Sequence, residues 1–193
     1  MNNFEGLNRN SSIASIAEAL LARGEEQKYL FAEARRFRDD RVYVRAAIEP
    51  SNVCRQNCTY CGMRRDNKEL TRFRITGTSL DELVDEAISI PEVDFVHIAL
   101  GEDVKFPFNQ IANLMKRINS AKKAPSLVLG ELPEVVYSML YDATEGNPAR
   151  FTINLETTDN ELYEKIKPGN RFARRFGKLE AVKRIGFQPC SGI

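Results

Sequence analysis

The chain has 193 residues, of which 42% are hydrophobic and 28% are charged. This is enough apolar sequence for one sizeable globular domain, and too little low-complexity sequence for a disordered chain. Twenty-eight Lys and Arg residues against twenty-seven Asp and Glu residues leave a formal charge of +1. That balance gives no electrostatic reason to propose a nucleic acid or an anionic membrane as partner, so we expect a small-molecule substrate.

The terminal segments and the cysteine pattern indicate in which cellular compartment the protein is expected. Neither end has a secretory signal pattern, and no apolar run approaches the roughly 18 residues that a membrane helix needs. A cytoplasmic location is therefore expected. In a reducing compartment, four cysteines with three of them inside eight residues favour a metal or redox site over a disulfide framework.

The first predicted elements are two helices between Ser12 and Arg38, where apolar residues recur at helical spacing with a break at Gly24. Residues 42–49 are rich in β-formers and are closed by Pro50, which predicts a strand that leads directly into the cysteine loop. We therefore expect N-terminal helices over residues 1–41 and a larger domain over residues 42–193.

Helices and strands alternate after the cysteines. Cap and acidic residues from Thr78 predict a helix that ends near Ile90, and residues 95–100 predict a short buried strand. The alternation continues with helices near residues 108–121, 133–141 and 172–185, and with strands at residues 126–129, 151–155 and 187–190.

This order of elements predicts an α/β fold with parallel strands, and the lack of a Gly-rich dinucleotide turn favours a barrel over a doubly wound sheet. A closed (βα)8 barrel usually needs about 250 residues. We count about five strands, so the expected fold is the N-terminal portion of a TIM-type barrel, truncated before the sheet closes.

Three cysteines, Cys54, Cys58 and Cys61, have the spacing C-x3-C-x2-C. This spacing lets three thiolates of one short loop reach three irons of a cubic 4Fe-4S cluster and leaves the fourth iron open. An open iron can bind the amino and carboxylate groups of S-adenosylmethionine (SAM) and pass one electron to its sulfonium. The alternatives are a closed ferredoxin-like cluster and a structural zinc site, whose fourth ligand would have to be His97 or Cys190, each on a different strand.

A resemblance to a known family rests on the residues around these cysteines. Tyr60 directly precedes the third cysteine, and the pattern C-x3-C-x-Y-C after a first barrel strand resembles the signature of the radical SAM superfamily. Residues Ser51–Asn67, with Phe73–Thr76 after them, resemble the branch that contains biotin synthase, methylornithine synthase and the hydrogenase maturase HydE, with HydE the most similar of the three. The resemblance covers residue 42 to the C-terminus.

The resemblance implies an enzyme with a TIM-type barrel and two cofactors, a 4Fe-4S cluster held by Cys54, Cys58 and Cys61, and SAM. The implied reaction is reductive cleavage of SAM to a 5′-deoxyadenosyl radical that abstracts hydrogen from a small substrate. An electron donor such as flavodoxin or ferredoxin is the implied partner. A non-catalytic cluster-binding module or fragment is the alternative, because an unclosed barrel exposes strand edges.

The same resemblance implies SAM contacts on later elements. Gly101 and Glu102 stand where the superfamily has a Gly-Gly-Glu type motif for the methionine amino group, with leucine in place of the first glycine. Asn154 and Glu156 resemble the residues that meet the ribose hydroxyls, and Tyr60 would pack near the adenine.

Arg175 resembles the family's ligand for the SAM carboxylate, although it can equally be a solvated helix charge. Nearer the cysteines, the basic run from Arg64 to Arg74 is interrupted by acids, which predicts a solvated loop across the barrel mouth.

Three positions are expected to face the barrel interior and to contact substrate: His97, Ser126 and Cys190. The corresponding strand positions of the biotin synthase pattern are cysteines that bind an auxiliary cluster. Two of the three are His and Ser here, which argues against such a cluster. The alternatives are a satisfied core histidine at 97 and small packing residues at 126 and 190.

Overall fold

The structure is a computed structural model that describes Phe4, residues 6–8 and residues 10–192. The chain divides into two compact units, one up to Val42 and one from Tyr43 onward. Within the described residues, every helix is too short or too polar to cross a bilayer.

The first unit contains helix α1 (Ile13–Leu21) and helix α2 (Gly24–Arg36). Ser12 caps α1, because its hydroxyl accepts the backbone N–H of Ser15 at 3.1 Å. Gly24 has a φ of +61°, a left-handed conformation that glycine adopts without strain. The predicted break between the two helices therefore lies where a glycine allows it.

The second unit alternates strands and helices. Its elements are β1 (Val44–Ser51), α3 (Thr78–Ser89), β2 (Val93–Leu100), α4 (Phe108–Ser120), β3 (Ala124–Val128), α5 (Glu134–Asp142), β4 (Arg150–Thr152), α6 (Asn160–Ile166), α7 (Phe172–Ile185) and β5 (Gln188–Cys190). All five strands are parallel, and each pairs with the next along the chain. Winding in one direction is the topology of a barrel rather than of a doubly wound sheet. The predicted α/β class and strand count are confirmed.

Two elements differ from the sequence prediction. Helix α6 was not predicted; it has seven residues, and the carboxylate of Asp159 caps it by accepting the N–H of Leu162 at 2.9 Å. So short a helix shows too little periodicity to be recognised. Strand β4 is shorter than predicted, although Ile153 beyond it still donates its N–H to the carbonyl of Cys190 at 2.9 Å.

The core of the second unit lies between the sheet and helices α3, α4 and α5. It is built from alternate strand residues and from the apolar stripes of these helices, including Leu80, Val84, Val96, Ile98, Ile111, Leu114, Leu127, Tyr137, Leu140 and Phe151. The opposite face carries a row of residues paired across all five strands, namely Ala47, His97, Ser126, Arg150 and Gln188. That second face is therefore left free for a site.

Candidate functional site

The cysteine loop begins where β1 ends and is fastened to residues further along the chain. The side-chain oxygen of Asn52 accepts the N–H of Phe73 at 2.8 Å. The guanidinium of Arg72 donates to the carbonyls of Asn52, Met63 and Arg64 at 2.7, 2.9 and 2.7 Å. The prediction of a solvated basic run is therefore wrong at Arg72, because its guanidinium binds the backbone carbonyl groups of the loop.

Arg74, from the same basic run, also has a structural role. Its guanidinium makes two hydrogen bonds to the buried carboxylate of Asp103, at 2.6 and 2.8 Å. The hydroxyl of Ser51, the last residue of β1, donates to the same carboxylate at 2.9 Å. Burial raises the pKa of Asp103, but these hydrogen bonds outweigh burial and lower it. The ion pair thus fixes the strand end from which the cysteine loop departs.

Gly101, directly after β2, lies against the first cysteine. A Cβ at this position would stand 2.3 Å from the carbonyl oxygen of Val53 and 2.8 Å from the Cβ of Cys54. The next residue adds two contacts, because the carbonyl of Glu102 accepts the N–H of Arg55 at 3.1 Å and its N–H donates to the Sγ of Cys54 at 3.4 Å. The missing side chain at position 101 therefore lets the cysteine loop contact the end of β2.

The carboxylate of Glu102 is buried and receives hydrogen bonds from three side chains. Arg175 Nη1 donates at 2.8 Å, Gln56 Nε2 at 2.5 Å and Arg55 Nε at 3.3 Å. Burial alone would raise the pKa of Glu102, but the hydrogen bond from Gln56 and the charges of Arg175 and Arg55 lower it on balance. Glu102 is thus an ionised group that joins the cysteine loop to α7.

A second Gly-Glu pair follows β3 and was missed by the sequence analysis. The carboxylate of Glu131 is buried and meets Arg175 Nη1 at 3.4 Å and Arg174 Nε at 3.1 Å. Gly130 has a φ of +72°, and a Cβ there would stand 2.0 Å from the Cγ of Glu102. The absence of a side chain at Gly130 therefore makes room for Glu102. Glu131 and Glu102 both pair with the guanidinium of Arg175.

The predicted ribose-contacting residues follow β4. The carbonyl of Asn154 accepts Arg175 Nε at 3.0 Å, and its Oδ1 accepts the N–H of Gly192 at 3.2 Å. Glu156 has a φ of +68°, a left-handed conformation that is unfavourable for a non-glycine residue, and its N–H donates to the carbonyl of Gly192 at 2.9 Å. Strain of this kind is common at functional sites.

Cys58 is the buried member of the three cysteines. Burial raises the pKa of its thiol, while the charge of Lys167 and the hydroxyl of Tyr60 lower it in part. Tyr60 lies beside both Cys58 and the carboxylate of Glu156, and burial, followed by these two negative groups, raises the pKa of Tyr60. The second cysteine, the predicted adenine residue and one predicted ribose residue are therefore neighbours.

Two of the three predicted substrate residues, His97 and Ser126, are paired on the free face of the sheet. His97 Nδ1 and Ser126 Oγ form a hydrogen bond at 3.0 Å. Burial and the charge of Arg45 lower the pKa of His97, while Glu49 raises it. Cys190 is exposed on β5, and the cavity that it lines between β5 and α7 includes neither His97 nor Ser126. The structure thus brings two of these three residues together.

A cavity of about 620 Å³ joins the cysteine loop to this free face. Cys61 and Gly62 line it from the loop, and Glu49, Ala99 and Val128 line it from β1, β2 and β3. This volume is within the usual range for small-molecule sites. Among the residues with described positions, no three His, Cys, Asp or Glu side chains are grouped closely enough for a single metal ion.

Comparison with known proteins identifies relatives of this site. Residues 48–193 match the family model described as the radical SAM superfamily. The chain is 35% identical over 158 residues to the [FeFe] hydrogenase maturase subunit HydE of Thermotoga maritima, covering 82% of this chain and 44% of that protein. It is 26% identical over 174 residues to 3-methylornithine synthase of Methanosarcina acetivorans, covering 88% and 49%.

A solved structure shares the fold. The crystal structure of methylornithine synthase (PylB) matches with a TM-score of 0.77 at 20% identity, covering 100% of this chain and 57% of that chain, which confirms the predicted barrel fold. The chain spans about half the length of the curated relatives it matches. Because the family model covers most of the sequence and includes the cysteine loop, Gly101, Glu102 and Arg175, the chain belongs to the radical SAM superfamily.

Proposed function

We propose that this chain holds a 4Fe-4S cluster and SAM for a HydE-like radical SAM reaction on a small substrate. The observation that carries the proposal is the attachment of the cysteine loop to the end of β2, where Gly101 lies against Cys54. Catalytic groups of TIM-type barrels lie at this end of the strands. The attachment holds the first cysteine beside Glu102, whose carboxylate binds Arg175.

The three cysteines suit a cluster with one open iron. The Sγ of Cys54 accepts the N–H groups of Gln56 and Glu102, each at 3.4 Å, and hydrogen bonds to the sulfurs of a cluster are one of the features that set its reduction potential. In a cubane each thiolate would bind a different iron, as the C-x3-C-x2-C spacing of the loop allows. Cys54, Cys58 and Cys61 are therefore the proposed iron ligands.

We assign the SAM carboxylate to Arg175. Its Nε and Nη1 bind Asn154, Glu102 and Glu131, whereas its Nη2 forms no hydrogen bond with the part of the chain that the structure describes. A guanidinium fixed in this way presents its remaining N–H groups to a carboxylate. Glu102 supports SAM binding by holding Arg175, and the backbone at Gly101 and Glu102 is the proposed site of the methionine amino group.

The nucleoside part of SAM is assigned to the residues around Tyr60. Its ring is the proposed adenine contact, and the carboxylate of Glu156 beside it is the proposed acceptor for the ribose hydroxyls. The Nδ2 of Asn154 makes no hydrogen bond with described residues and can meet the same hydroxyls, since only its Oδ1 is occupied.

When bound together, cluster and SAM supply a one-electron cleavage of the sulfonium that yields methionine and a 5′-deoxyadenosyl radical. The electron comes from a donor such as flavodoxin or ferredoxin. The substrate is proposed to occupy the cavity beside Cys61, with His97 and Ser126, on the same face of the sheet, as the candidate contacts. There the barrel wall would shield it from water. Cys190, the third predicted contact, lines a separate cavity between β5 and α7.

The test is anaerobic reconstitution with iron and sulfide, followed by SAM and dithionite, with 5′-deoxyadenosine as the readout. We expect Cys58→Ala to lose both iron and 5′-deoxyadenosine, because it removes the buried ligand. Cys190→Ala is the matched control for iron content, since this cysteine is exposed and outside the loop. Zinc in place of iron after anaerobic purification would contradict the proposal.

The second candidate function is a cluster-binding module without SAM cleavage. The observation that favours it is that β1 and β5 each pair with one strand of the described sheet, and that all of β5 is exposed. Retention of iron and sulfide without any 5′-deoxyadenosine would support this alternative over the first.

A further inference from the structure

Lys167 is a buried lysine with no carboxylate in salt-bridge contact among the described residues. The residue is 4% exposed. Among described residues, no carboxylate oxygen lies within 4.0 Å of its ammonium, and the ammonium donates no hydrogen bond. It lies over the ring of Tyr163, whose centroid is 5.4 Å away. Fully buried lysines are rare unless they are paired, because an ammonium in an apolar environment is strongly unfavourable.

The other buried charges of the site differ from Lys167 in this respect. Arg175 meets Glu102 at 2.8 Å and Asp103 meets Arg74 at 2.6 Å. Within the described chain, Lys167 therefore differs from these charges in having no oppositely charged side chain in direct contact.

The backbone places Lys167 against the cysteine loop. The carbonyl of Ile166 accepts the N–H of Thr59 at 2.9 Å and its hydroxyl at 3.4 Å, so the end of α6 is joined to the residue after Cys58. The charges of Lys167 and Cys58 act on each other, and each opposes the larger effect of burial on the other's pKa. Arg175 is a second cation in the neighbourhood and disfavours the charge of Lys167 further, whereas the carboxylates of Glu156 and Glu102 favour it from beyond salt-bridge distance.

We propose that Lys167 is a positioning residue whose ammonium is the counter-charge for the iron–sulfur cluster on the side of Cys58. The inference rests on the proposed function, in which Cys54, Cys58 and Cys61 hold the cluster. Three thiolates outweigh the positive charge of the oxidised iron–sulfur core, and an added electron makes the site more negative. A fixed cation there binds the cluster more tightly and favours its reduced form.

The experiment compares Lys167→Met with Lys167→Arg, and Lys165→Met serves as the matched control. Lys165 lies two residues away in α6 and is exposed. Without iron, Lys167→Met is expected to raise the midpoint of urea unfolding, because it removes a buried charge that no described carboxylate contacts directly. With iron, the same change is expected to weaken cluster binding about 10- to 100-fold.

The cluster's reduction potential, followed by electron paramagnetic resonance, is the readout that a purely structural role would not move. We expect Lys167→Met to shift the redox equilibrium about tenfold toward the oxidised cluster, about 59 mV for one electron. Lys167→Arg is expected to stay near the wild-type potential, and Lys165→Met is expected to match the wild type.

Three results would overturn the inference. One is a wild-type potential in Lys167→Met, above all if SAM binding weakens instead, since the ammonium would then belong to the SAM carboxylate. Another is an equal shift in Lys167→Arg, and the third is a lower midpoint of urea unfolding in iron-free Lys167→Met. A wild-type chain that takes up no cluster would refute the proposed function itself and this inference with it.

Discussion

Replacing Arg175 by methionine is expected to lower the free energy of unfolding by about 3 kcal/mol, because two buried carboxylates lose the cation between them. The side chains of Arg175, Glu102 and Glu131 are 8%, 7% and 3% exposed. Arg55 and Arg174 still pair with the two glutamates in the variant, which keeps the loss at the low end for a broken buried ion pair. Methionine retains much of the side-chain volume, so the lost free energy of unfolding measures the removal of the charge rather than the creation of a cavity.

The stability difference between wild type and Arg175→Met depends on pH, and the lowered pKa of Glu102 determines the direction of that dependence. Burial would raise this pKa, but the hydrogen bond from Gln56 and the charge of Arg175 lower it below its value in the unfolded chain. A carboxylate with a lowered pKa stabilises the fold above its unfolded pKa, about 4.3 for Glu, and this stability is lost as the pH falls through the folded pKa. The difference between wild type and variant is therefore largest near neutral pH and shrinks in acid.

Urea unfolding at pH 7 and near pH 4 measures both parts of this prediction. Arg174→Met is the matched control, because Arg174 is the preceding residue, is 62% exposed and, among the described residues, forms its ion pair with Glu131, at 3.1 Å. Arg174 is largely exposed, and the buried carboxylate of Glu131 keeps Arg175 at 3.4 Å in this variant, so the variant is expected to lose less free energy of unfolding than Arg175→Met. Equal losses in the two variants, or a difference that grows in acid, would contradict the assignment of Arg175 as the central buried cation.

The sheet could be predicted from sequence because its strands are short apolar runs between amphipathic helices. Strand β2 shows this well: Val96, Ile98 and Leu100 face the helices and are buried, while His97 and Ala99 alternate with them on the free face. Helix α6 could not be predicted, since seven residues that bury only Tyr163 carry almost no periodic signal.

The cysteine loop could be recognised as a candidate cluster site because its signal, three cysteines at fixed spacing, lies within eight residues of the chain. The support around them could not, because it joins residues that are far apart in the chain, as with Arg175 and Glu102, which are 73 positions apart. The sequence does carry one signal for this support, because Leu-Gly-Glu occurs at residues 100–102 and again at 129–131, at the ends of two successive strands. Strand ends of a parallel sheet meet at one edge, so this repeat predicts two neighbouring carboxylates.

Replacing Gly101 by alanine is expected to destabilise the fold by about 1–3 kcal/mol and to reduce iron uptake, because the new Cβ overlaps the cysteine loop. It would stand 2.3 Å from the carbonyl oxygen of Val53 and 2.8 Å from the Cβ of Cys54. Neither atom is the end of a flexible side chain, so the loop backbone itself must move. That movement also breaks the hydrogen bond from Glu102 to the Sγ of Cys54.

Gly62→Ala provides the control, because Gly62 belongs to the same loop and a Cβ there meets nothing within 4 Å. We expect its free energy of unfolding to stay within about 0.5 kcal/mol of the wild type. Both changes replace one glycine by alanine and so restrict the backbone to a similar degree. A loss of stability confined to Gly101→Ala is therefore due to the close approach to Val53 and not to reduced backbone flexibility. Wild-type stability and iron content in both variants would mean that the loop can retreat from β2 without cost, and the attachment would then not be what holds Cys54 beside Glu102.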